Sequence, residues 1–240
     1  MSLTKPRVIK HPGFAGLVFF FICLCIGLGY WQLTRAHEKT IVIDSFRSRI
    51  DQPALSAAAL SADQDQRFYR VQLTGHFDND HSLLLDNKTH QGQVGYELYT
   101  PFIAEHLSPI ILIDRGFIPL GKTRRLLPLI PQANQNQISG MLNFPPHHVA
   151  LGAMIETQTI SWPLRIEFVN LTTLAKLLGN NIYPYVVTLD QNSQAIRPTQ
   201  QQIVAMGPER HRGYAFQWFA LAATLLILFV LSNRTAATDK

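Results

Sequence analysis

The chain has 240 residues, of which 47% are hydrophobic and only 15% charged, and it carries a formal net charge of +5. Soluble domains average roughly 25% charged residues, and disordered chains combine low hydrophobicity with high charge, so the composition excludes a disordered chain. Two cysteines are too few for a small protein held together by disulfides. The position of the excess positive charge decides whether a nucleic acid is a plausible partner.

Two apolar stretches, residues 13–31 and 214–232, each contain nineteen residues without a charge. As helices they would each extend about 28 Å, close to the thickness of the hydrocarbon layer of a bilayer. Tyr30 and Trp31 end the first stretch, and Tyr214 and Trp218 lie in the first turns of the second, as expected for rings at a membrane interface. The pattern predicts two transmembrane helices in contact with the lipid bilayer. Two buried core helices are the disfavoured alternative.

Most of the excess charge lies outside these spans. Residues 1–12 carry +3 and residues 233–240 carry +1, whereas residues 32–213 hold sixteen Lys/Arg against fifteen Asp/Glu. The positive-inside rule then predicts an inner-membrane protein with both termini cytoplasmic and its main domain periplasmic. A nearly neutral outer domain predicts no nucleic-acid partner. Because no small-residue cleavage site follows the first span, we expect an uncleaved signal anchor.

These observations divide the chain into six segments. They are a cytoplasmic tail (1–12), transmembrane helix 1 (13–31), a helical extension and linker (32–66), a β-rich periplasmic domain (67–210), transmembrane helix 2 (211–232) and a second cytoplasmic tail (233–240).

The segment between the spans has mostly the two-residue period of β-strands. Strands are expected at 68–77 with an interruption near Gly75, and at 82–85, 94–103, 109–118, 137–144, 163–169 and 183–190. One short helix, Leu171–Leu178, ends at Gly179, which suits a left-handed cap. Residues 51–66 are small and polar and predict a linker. The fold class expected is a membrane protein whose two transmembrane helices flank an antiparallel β-rich α+β extramembrane domain.

Catalytic motifs are scarce in this sequence. It contains no H-E-x-x-H, C-x-x-C, G-x-S-x-G or phosphate-binding glycine loop. His76, His81, His90 and His106 are scattered, and the adjacent His147 and His148 would point to opposite faces of an extended chain. We therefore predict that this protein is not an enzyme. A membrane-tethered periplasmic hydrolase remains the least favoured alternative, because distant residues can still assemble a site.

The beginning of the second span carries a more specific pattern. On a helix His211, Tyr214, Ala215 and Trp218 occur at i, i+3, i+4 and i+7, on one stripe. A histidine beside aromatic surface at the outer membrane face could ligate haem iron, and Arg210 or Arg212 could pair with propionates. Plain anchoring at the interface is the alternative for this stripe. It also accounts for Trp31 and Arg35 at the end of the first span.

Five motifs, taken in order along nearly the whole chain, resemble those of the Surfeit locus protein 1 family. They are Gly29-x-Trp31-Gln32-x-x-Arg35; Tyr69-Arg70-Val71 with Gly75-x-Phe77; Gly95-Tyr96 with Thr100-Pro101-Phe102; Asp114-Arg115-Gly116-Phe117-Ile118-Pro119; and His211-x-x-Tyr214-Ala215-x-Gln217-Trp218-Phe219. Asp114 and Phe117 replace the Asn and Trp usual in the fourth motif. For Arg115-Gly116 we expect a structural turn, with Gly116 in an unusual backbone conformation.

The resemblance implies an assembly factor for haem-copper cytochrome c oxidase that binds haem a and assists its insertion into subunit I, with haem a synthase as a further possible partner. By the same resemblance His211 is the expected iron ligand. Tyr214, Trp218 and Arg212, with Trp31, Gln32 and Arg35 from the other span, are candidates to line the haem site. The alternative is a structural chaperone that docks on subunit I without binding haem.

Overall fold

A computed structural model describes residues 12–121, 124, 126–146, 153–155, 160–190, 196 and 206–235. The chain separates into two compact units: a helical unit, Met1–Asp44 with Gln202–Lys240, and a sheet unit, Ser45–Gln201. Most of the two predicted tails, residues 1–11 and 236–240, lies outside the described residues. The same is true of His147 and His148.

The helical unit is formed by the two ends of the chain. Helix α1 covers Pro12–Arg49, and helix α3 covers Pro208–Thr235. Their most apolar windows have mean hydropathies of 2.2 and 2.1, and only 11% of each window is buried. Both helices are therefore long and apolar enough to cross a membrane, and they lack the burial typical of the core helix of a soluble protein. The prediction that α1 continues well beyond Trp31 is confirmed.

Small residues line the seam between α1 and α3. Gly29 and Ala36 of α1 and Ala215 and Ala222 of α3 are buried. In apolar surroundings helices associate mainly through close packing, which small residues permit. These positions recur at spacings of seven residues, so one narrow stripe of each helix meets the other.

The sheet unit contains seven strands, one α-helix and two single turns of 3₁₀-helix, among the residues described. The strands are β1 (Arg70–Phe77), β2 (Leu83–His90), β3 (Gln93–Ala104), β4 (Ile110–Pro119), β5 (Gln137–Asn143), β6 (Leu164–Ile166) and β7 (Ile182–Leu189). Helix α2 (Leu171–Leu178) lies between β6 and β7, and the 3₁₀ turns cover Ala57–Ala59 and Asn79–His81. The expected β-rich domain flanked by two apolar helices is confirmed. The strand bounds agree with those predicted from the two-residue period except for β2, which continues to His90 instead of residue 85, and β6, which ends at Ile166 instead of residue 169.

The strands form one sheet in the order β1-β5-β7-β4-β3-β2-β6, and β1 also pairs with β3. This additional pairing joins Gly75–Phe77 to Phe102–Ala104. It closes β1, β5, β7, β4 and β3 into a five-stranded barrel, while β2 and β6 extend the sheet from the other half of β3. Closure removes the exposed edges that these five strands would otherwise present.

The predicted antiparallel pairing holds for five of the seven pairings within the described chain. The pairs β2–β6 and β4–β7 are parallel. Each joins strands that are distant in sequence, so a long connection can return the second strand in the direction of the first. The two-residue period within a strand does not indicate whether that strand pairs parallel or antiparallel with a distant one.

One further expectation for this unit is wrong. Strand β1 runs through Gly75 without interruption, because the missing Cβ lets the backbone of Ile103 approach; a Cβ there would collide with the Ile103 carbonyl oxygen. Residues 51–66, predicted as a linker, also pack against the barrel. Leu55 bridges to Val71, and Leu55, Ala57 and Leu60 pack against the barrel core.

The barrel interior is apolar and closely packed. Its centre includes Val71, Leu73, Phe102, Ile111, Ile113, Ile138 and Val187, all at most 1% exposed. A second apolar cluster, with Leu83, Leu85, Leu112, Leu164, Ile166 and Leu174 among its members, lies between the sheet and α2. Asn170 caps α2 by accepting a hydrogen bond from the Thr173 amide at 2.9 Å, and Gly179 ends it with φ of 63°, as expected.

The motif Asp114-Arg115-Gly116 forms a bulge within β4, in the middle of the strand. Leu98 pairs with Gly116 and Tyr99 with Asp114, so Arg115 is the extra residue. Gly116 has φ of 99°, which confirms the unusual backbone conformation expected for it. An oxygen of the Asp114 carboxyl group accepts a hydrogen bond from the Gly116 amide at 2.9 Å and so stabilises the bulge.

Candidate functional site

A histidine and an amide meet across the seam of the helical unit. His211 lies in the first turn of α3, and its Nδ1 is 2.7 Å from Oε1 of Gln32 on α1. An amide oxygen only accepts hydrogen bonds, so Nδ1 is the donor. In the neutral ring Nε2 then keeps its lone pair, which is the form of histidine that binds metals. Both side chains are partly buried.

On α3 the side of the helix that faces α1 differs by one residue from the predicted stripe. It contains His211, Ala215 and Ala222, at i, i+4 and i+11, with Trp218 half-buried beside them and Phe219 in contact with Gly29 of α1. Tyr214 lies off this line, and 44% of it is exposed. The prediction that His211 and Trp218 share one face therefore agrees with the structure, whereas Tyr214 points away from the seam.

On α1 the residue that meets His211 is Gln32. The neighbouring Trp31 is 55% exposed, on the side of the helix away from the seam. Arg35 forms an ion pair with Glu38 of the same helix at 2.7 Å. The structure thus brings together His211 and Gln32, but not Trp31 and Arg35, which sequence reasoning had grouped with them.

Arg212 makes the second polar contact across the seam. Its Nη2 donates to the Thr40 hydroxyl oxygen at 3.4 Å, and the Thr40 hydroxyl in turn donates to the Ala36 carbonyl at 2.9 Å. Sequence reasoning missed Thr40, because threonine one helical turn beyond the motif carries no signal of its own. The remainder of the Arg212 side chain is exposed, so its charge stays accessible to an anionic group.

The His211–Gln32 pair can supply one ligand, the His211 imidazole, to a metal. Within the described ranges no three His, Cys, Asp or Glu side chains come together in a way that could hold a metal ion. A single imidazole supplies one bond, which is sufficient when a macrocycle supplies the other ligands of the metal. The partner that orients the ring through its second nitrogen is a regular feature of metal-binding histidines.

Among the residues that the structure describes, one histidine of the sheet unit is paired with a carboxylate. His81 Nδ1 lies 2.7 Å from Asp78 Oδ2, and its ring makes an edge contact with Trp162 at 4.8 Å between centroids. Ser82 is adjacent, but its hydroxyl contacts the Asn79 carbonyl and the Thr100 hydroxyl. The nearest hydroxyl in sequence is therefore hydrogen-bonded to residues other than the His–Asp pair.

A buried carboxyl lies in the β4 bulge. Burial raises the pKa of Asp114 to about 8, with the nearby Glu97 carboxylate adding to the shift, while the hydrogen bond from the Gly116 amide opposes it. Glu97 itself is 3.6 Å from Lys88. Next to Asp114, burial lowers the pKa of Arg115 to about 10; its Nη2 donates to the Pro131 carbonyl at 2.7 Å. Both groups belong to the packing of the barrel.

The fold and the site together define a class of protein in which two apolar helices flank a partly closed sheet and present one oriented histidine at their seam. The sequence model of the SURF1 family matches residues 19–223, which include most of α1, the whole sheet and the first sixteen residues of α3. The chain belongs to the SURF1 family.

Named relatives agree with this assignment. The chain is similar to a SURF1-like protein of Rickettsia bellii, with 27% identity over 91% of this chain and 89% of the relative. It is also similar to Surfeit locus protein 1 of Mus musculus, with 24% identity over 95% of this chain and 79% of that protein. The cytochrome oxidase assembly protein SHY1 of Saccharomyces cerevisiae is 31% identical over 43% of this chain and 27% of its own length.

Proposed function

We propose that this protein is an assembly factor for haem-copper cytochrome c oxidase that binds haem a through His211 and assists its insertion into subunit I. Membership of the SURF1 family supports the assembly role, since a yeast relative carries the name of a cytochrome oxidase assembly protein. The single observation that supports haem binding is the Nδ1–H···Oε1 hydrogen bond from His211 to Gln32.

The side chains at the seam between α1 and α3 have the chemistry that a haem requires. Haem iron needs one unprotonated imidazole nitrogen from the protein, and Nε2 of His211 is in that state when Nδ1 donates to Gln32. Bound haem supplies an iron centre for the oxidase, whereas the protein supplies binding and orientation. Trp218, half-buried on the same face as His211, offers apolar surface to a flat ring. Arg212 offers a cation for a propionate.

The same proposal includes a location in the membrane. Both ends of the chain carry the excess positive charge, and the positive-inside rule then makes the termini cytoplasmic and the sheet unit periplasmic in an inner membrane. His211 precedes the charge-free stretch of α3 by only three residues. It would accordingly lie at the outer face, where haem a synthase and subunit I are accessible partners within the same bilayer.

The test of haem binding is purification of the full chain from cells that make haem a. The unaltered protein should carry haem a with the absorption spectrum of a histidine-ligated iron, and His211→Ala should lose it. His37→Ala is the matched control, because His37 is exposed on α1 in the same helical unit. It should retain haem a in full.

The same preparations separate the assembly role from the haem role. Co-purification of subunit I with a chain that never carries haem a would contradict haem binding and favour a structural chaperone that docks on subunit I. Equal haem content in His211→Ala and in the unaltered protein would contradict the role of His211. Loss of assembled oxidase on deletion of the protein, with recovery by His37→Ala but not by His211→Ala, is the expected pattern in cells.

A further inference from the structure

We propose that Gln32 is a positioning residue for His211: it holds the imidazole as the tautomer protonated on Nδ1 and so presents Nε2 as the ligand atom. The inference rests on the proposed haem-binding function and adds to it a residue on the other helix. It starts from the separation of 2.7 Å between Nδ1 of His211 and Oε1 of Gln32.

The first step concerns the proton. A neutral imidazole carries one N–H, and the hydrogen bond made by one nitrogen decides which nitrogen bears it. Because Oε1 of Gln32 has no proton to give, the bond exists only with the proton on Nδ1. Without that acceptor the proton is free to occupy Nε2, which would block the ligand atom.

The second step concerns the orientation of the ring. His211 is held from one side by Gln32, a residue of the opposite helix, so the ring direction depends on the α1–α3 seam. The other polar side chains near this seam are already engaged: Arg35 pairs with Glu38, and the Thr40 hydroxyl donates to the Ala36 carbonyl. Gln32 is therefore the side chain of α1 that acts on His211 through an observed contact.

The third step concerns strength. Removal of a partner that orients a metal-binding histidine lowers the metal affinity by about 10- to 100-fold. Such a partner also raises the basicity of the ligand nitrogen, because accepting a hydrogen bond from the N–H increases the negative charge on the imidazole ring. Gln32 should accordingly influence both how tightly the iron is held and the electronic character of the iron–histidine bond.

The test uses the full chain in detergent with two substitutions at position 32. Gln32→Met keeps the length of the side chain without an acceptor, and Gln32→Glu supplies a stronger acceptor. Gln217→Met is the matched control, since Gln217 is an exposed amide on α3. The first readout is the ¹⁵N NMR spectrum of labelled histidine in the haem-free protein, with the His211 signals identified by their loss in His211→Ala.

We expect His211 to be protonated on Nδ1 in the unaltered protein and in Gln217→Met, and to shift toward protonation on Nε2 in Gln32→Met. The second readout is haem a itself. Gln32→Met should weaken its retention by about 10- to 100-fold. Gln32→Glu should retain it, with a higher iron–histidine stretching frequency in the ferrous Raman spectrum and a lower reduction potential.

The two proposals fail in different ways. If Gln32→Met leaves both the tautomer and haem retention unchanged while His211→Ala loses haem, the role of Gln32 is overturned and haem binding by His211 stands. If the unaltered protein binds no haem a although the tautomer responds to Gln32→Met, the haem function is overturned and the control of the tautomer stands. A Gln32→Met effect matched by Gln217→Met would also overturn the role of Gln32.

Discussion

Gly29 of α1 lies against the ring of Phe219 of α3, so closely that a Cβ on residue 29 would be 2.6 Å from Cε1 of that ring. The same ring makes an edge contact with Tyr30, with 5.7 Å between centroids. Gln32 follows Gly29 by one helical turn, so the close approach of the two helices at Gly29 also determines the distance between Gln32 and His211.

Replacement of Gly29 by alanine should therefore separate the helices locally. Overpacking of this kind costs about 1–3 kcal/mol, which corresponds to a fall in Tm of about 2–4 °C per kcal/mol for a chain of this size. Thermal unfolding of the full chain in detergent, followed by far-UV circular dichroism, measures the effect. Gly27→Ala is the control, because a Cβ at residue 27 meets nothing within 4 Å.

The partner ring gives this prediction a second check. In Gly29→Ala/Phe219→Ala the added methyl no longer meets a ring, so the double variant should lose less stability than the sum of the single variants. Strict additivity would contradict direct contact between residues 29 and 219 as the cause. The same change in stability in Gly29→Ala and in the control Gly27→Ala would contradict it as well.

Asp114 makes the stability of the sheet unit depend on pH. Its pKa is about 8 in the folded chain because of burial and of Glu97, against 3.8 as the ordinary value. The folded state thus holds a proton that the unfolded state has released, and this stabilising contribution is fully present below pH 4 and is lost as pH rises through 8. The slope is at most about 1.4 kcal/mol per pH unit for one proton.

The variant Asp114→Asn isolates the contribution of Asp114 to the pH dependence of stability. Asparagine keeps an oxygen that can accept from the Gly116 amide, at the place where the Asp114 carboxylate accepts at 2.9 Å. We expect Asp114→Asn to unfold at higher denaturant concentration than the unaltered chain at pH 9 and to lose the downward slope between pH 5 and 8. Glu105→Gln, which removes an exposed carboxylate, should keep the slope. Parallel pH profiles for Asp114→Asn and the unaltered chain would rule out Asp114 as the titrating group.

Gly75 decides whether the barrel closes. Its Cα faces the strand β3 at Ala104, and an added Cβ would collide with the Ile103 carbonyl oxygen, a backbone atom that cannot rotate away. Gly75→Ala should accordingly destabilise the sheet unit by more than about 3 kcal/mol, in the range reached by severe core disruption. Chemical denaturation followed by near-UV circular dichroism measures this loss.

Gly121→Ala serves as the comparison, because the nearest atom to a Cβ at residue 121 is the Leu126 carbonyl oxygen, at an ordinary 3.6 Å. It should change the unfolding free energy by less than about 0.5 kcal/mol, as for most surface substitutions. Comparable stability of the two variants would mean that the β1–β3 pairing is dispensable for the barrel.

Local patterns predicted much of this fold. The charge-free stretches predicted both helices of the helical unit, and the two-residue period predicted the seven strands, although β2 and β6 end at His90 and Ile166 instead of residues 85 and 169. They could not give the order of the strands: the parallel pairing of Leu83–Leu85 with Leu164–Ile166 depends on a connection of nearly eighty residues. The packing of residues 51–66 against the barrel could not be predicted for a similar reason, since it depends on the bridge between Leu55 and Val71.

The candidate site shows the same limit at the scale of one side chain. The spacing along α3 identified His211. On α1, Trp31 was predicted to line the site because aromatic residues are frequent at membrane interfaces. Residues 13–31 of α1 are apolar on all sides of the helix, so the sequence alone does not say which face meets α3. Gln32 takes that position because Gly29 and Ala36, three residues before it and four after it, are the small residues that permit close contact.

The ion pair between Arg70, the first residue of β1, and Asp190, which follows β7, joins their side chains at 2.6 Å. The polypeptide therefore enters and leaves the barrel at one place. Topologically the sheet unit is a large insertion in a helical hairpin. Once the barrel has formed, the start of β1 and the end of β7 are held together, so the loop that must close for α3 to pair with α1 no longer includes the residues between them, and the entropy that opposes pairing of the helices falls. Assembly of the barrel thereby prepares the meeting of His211 and Gln32.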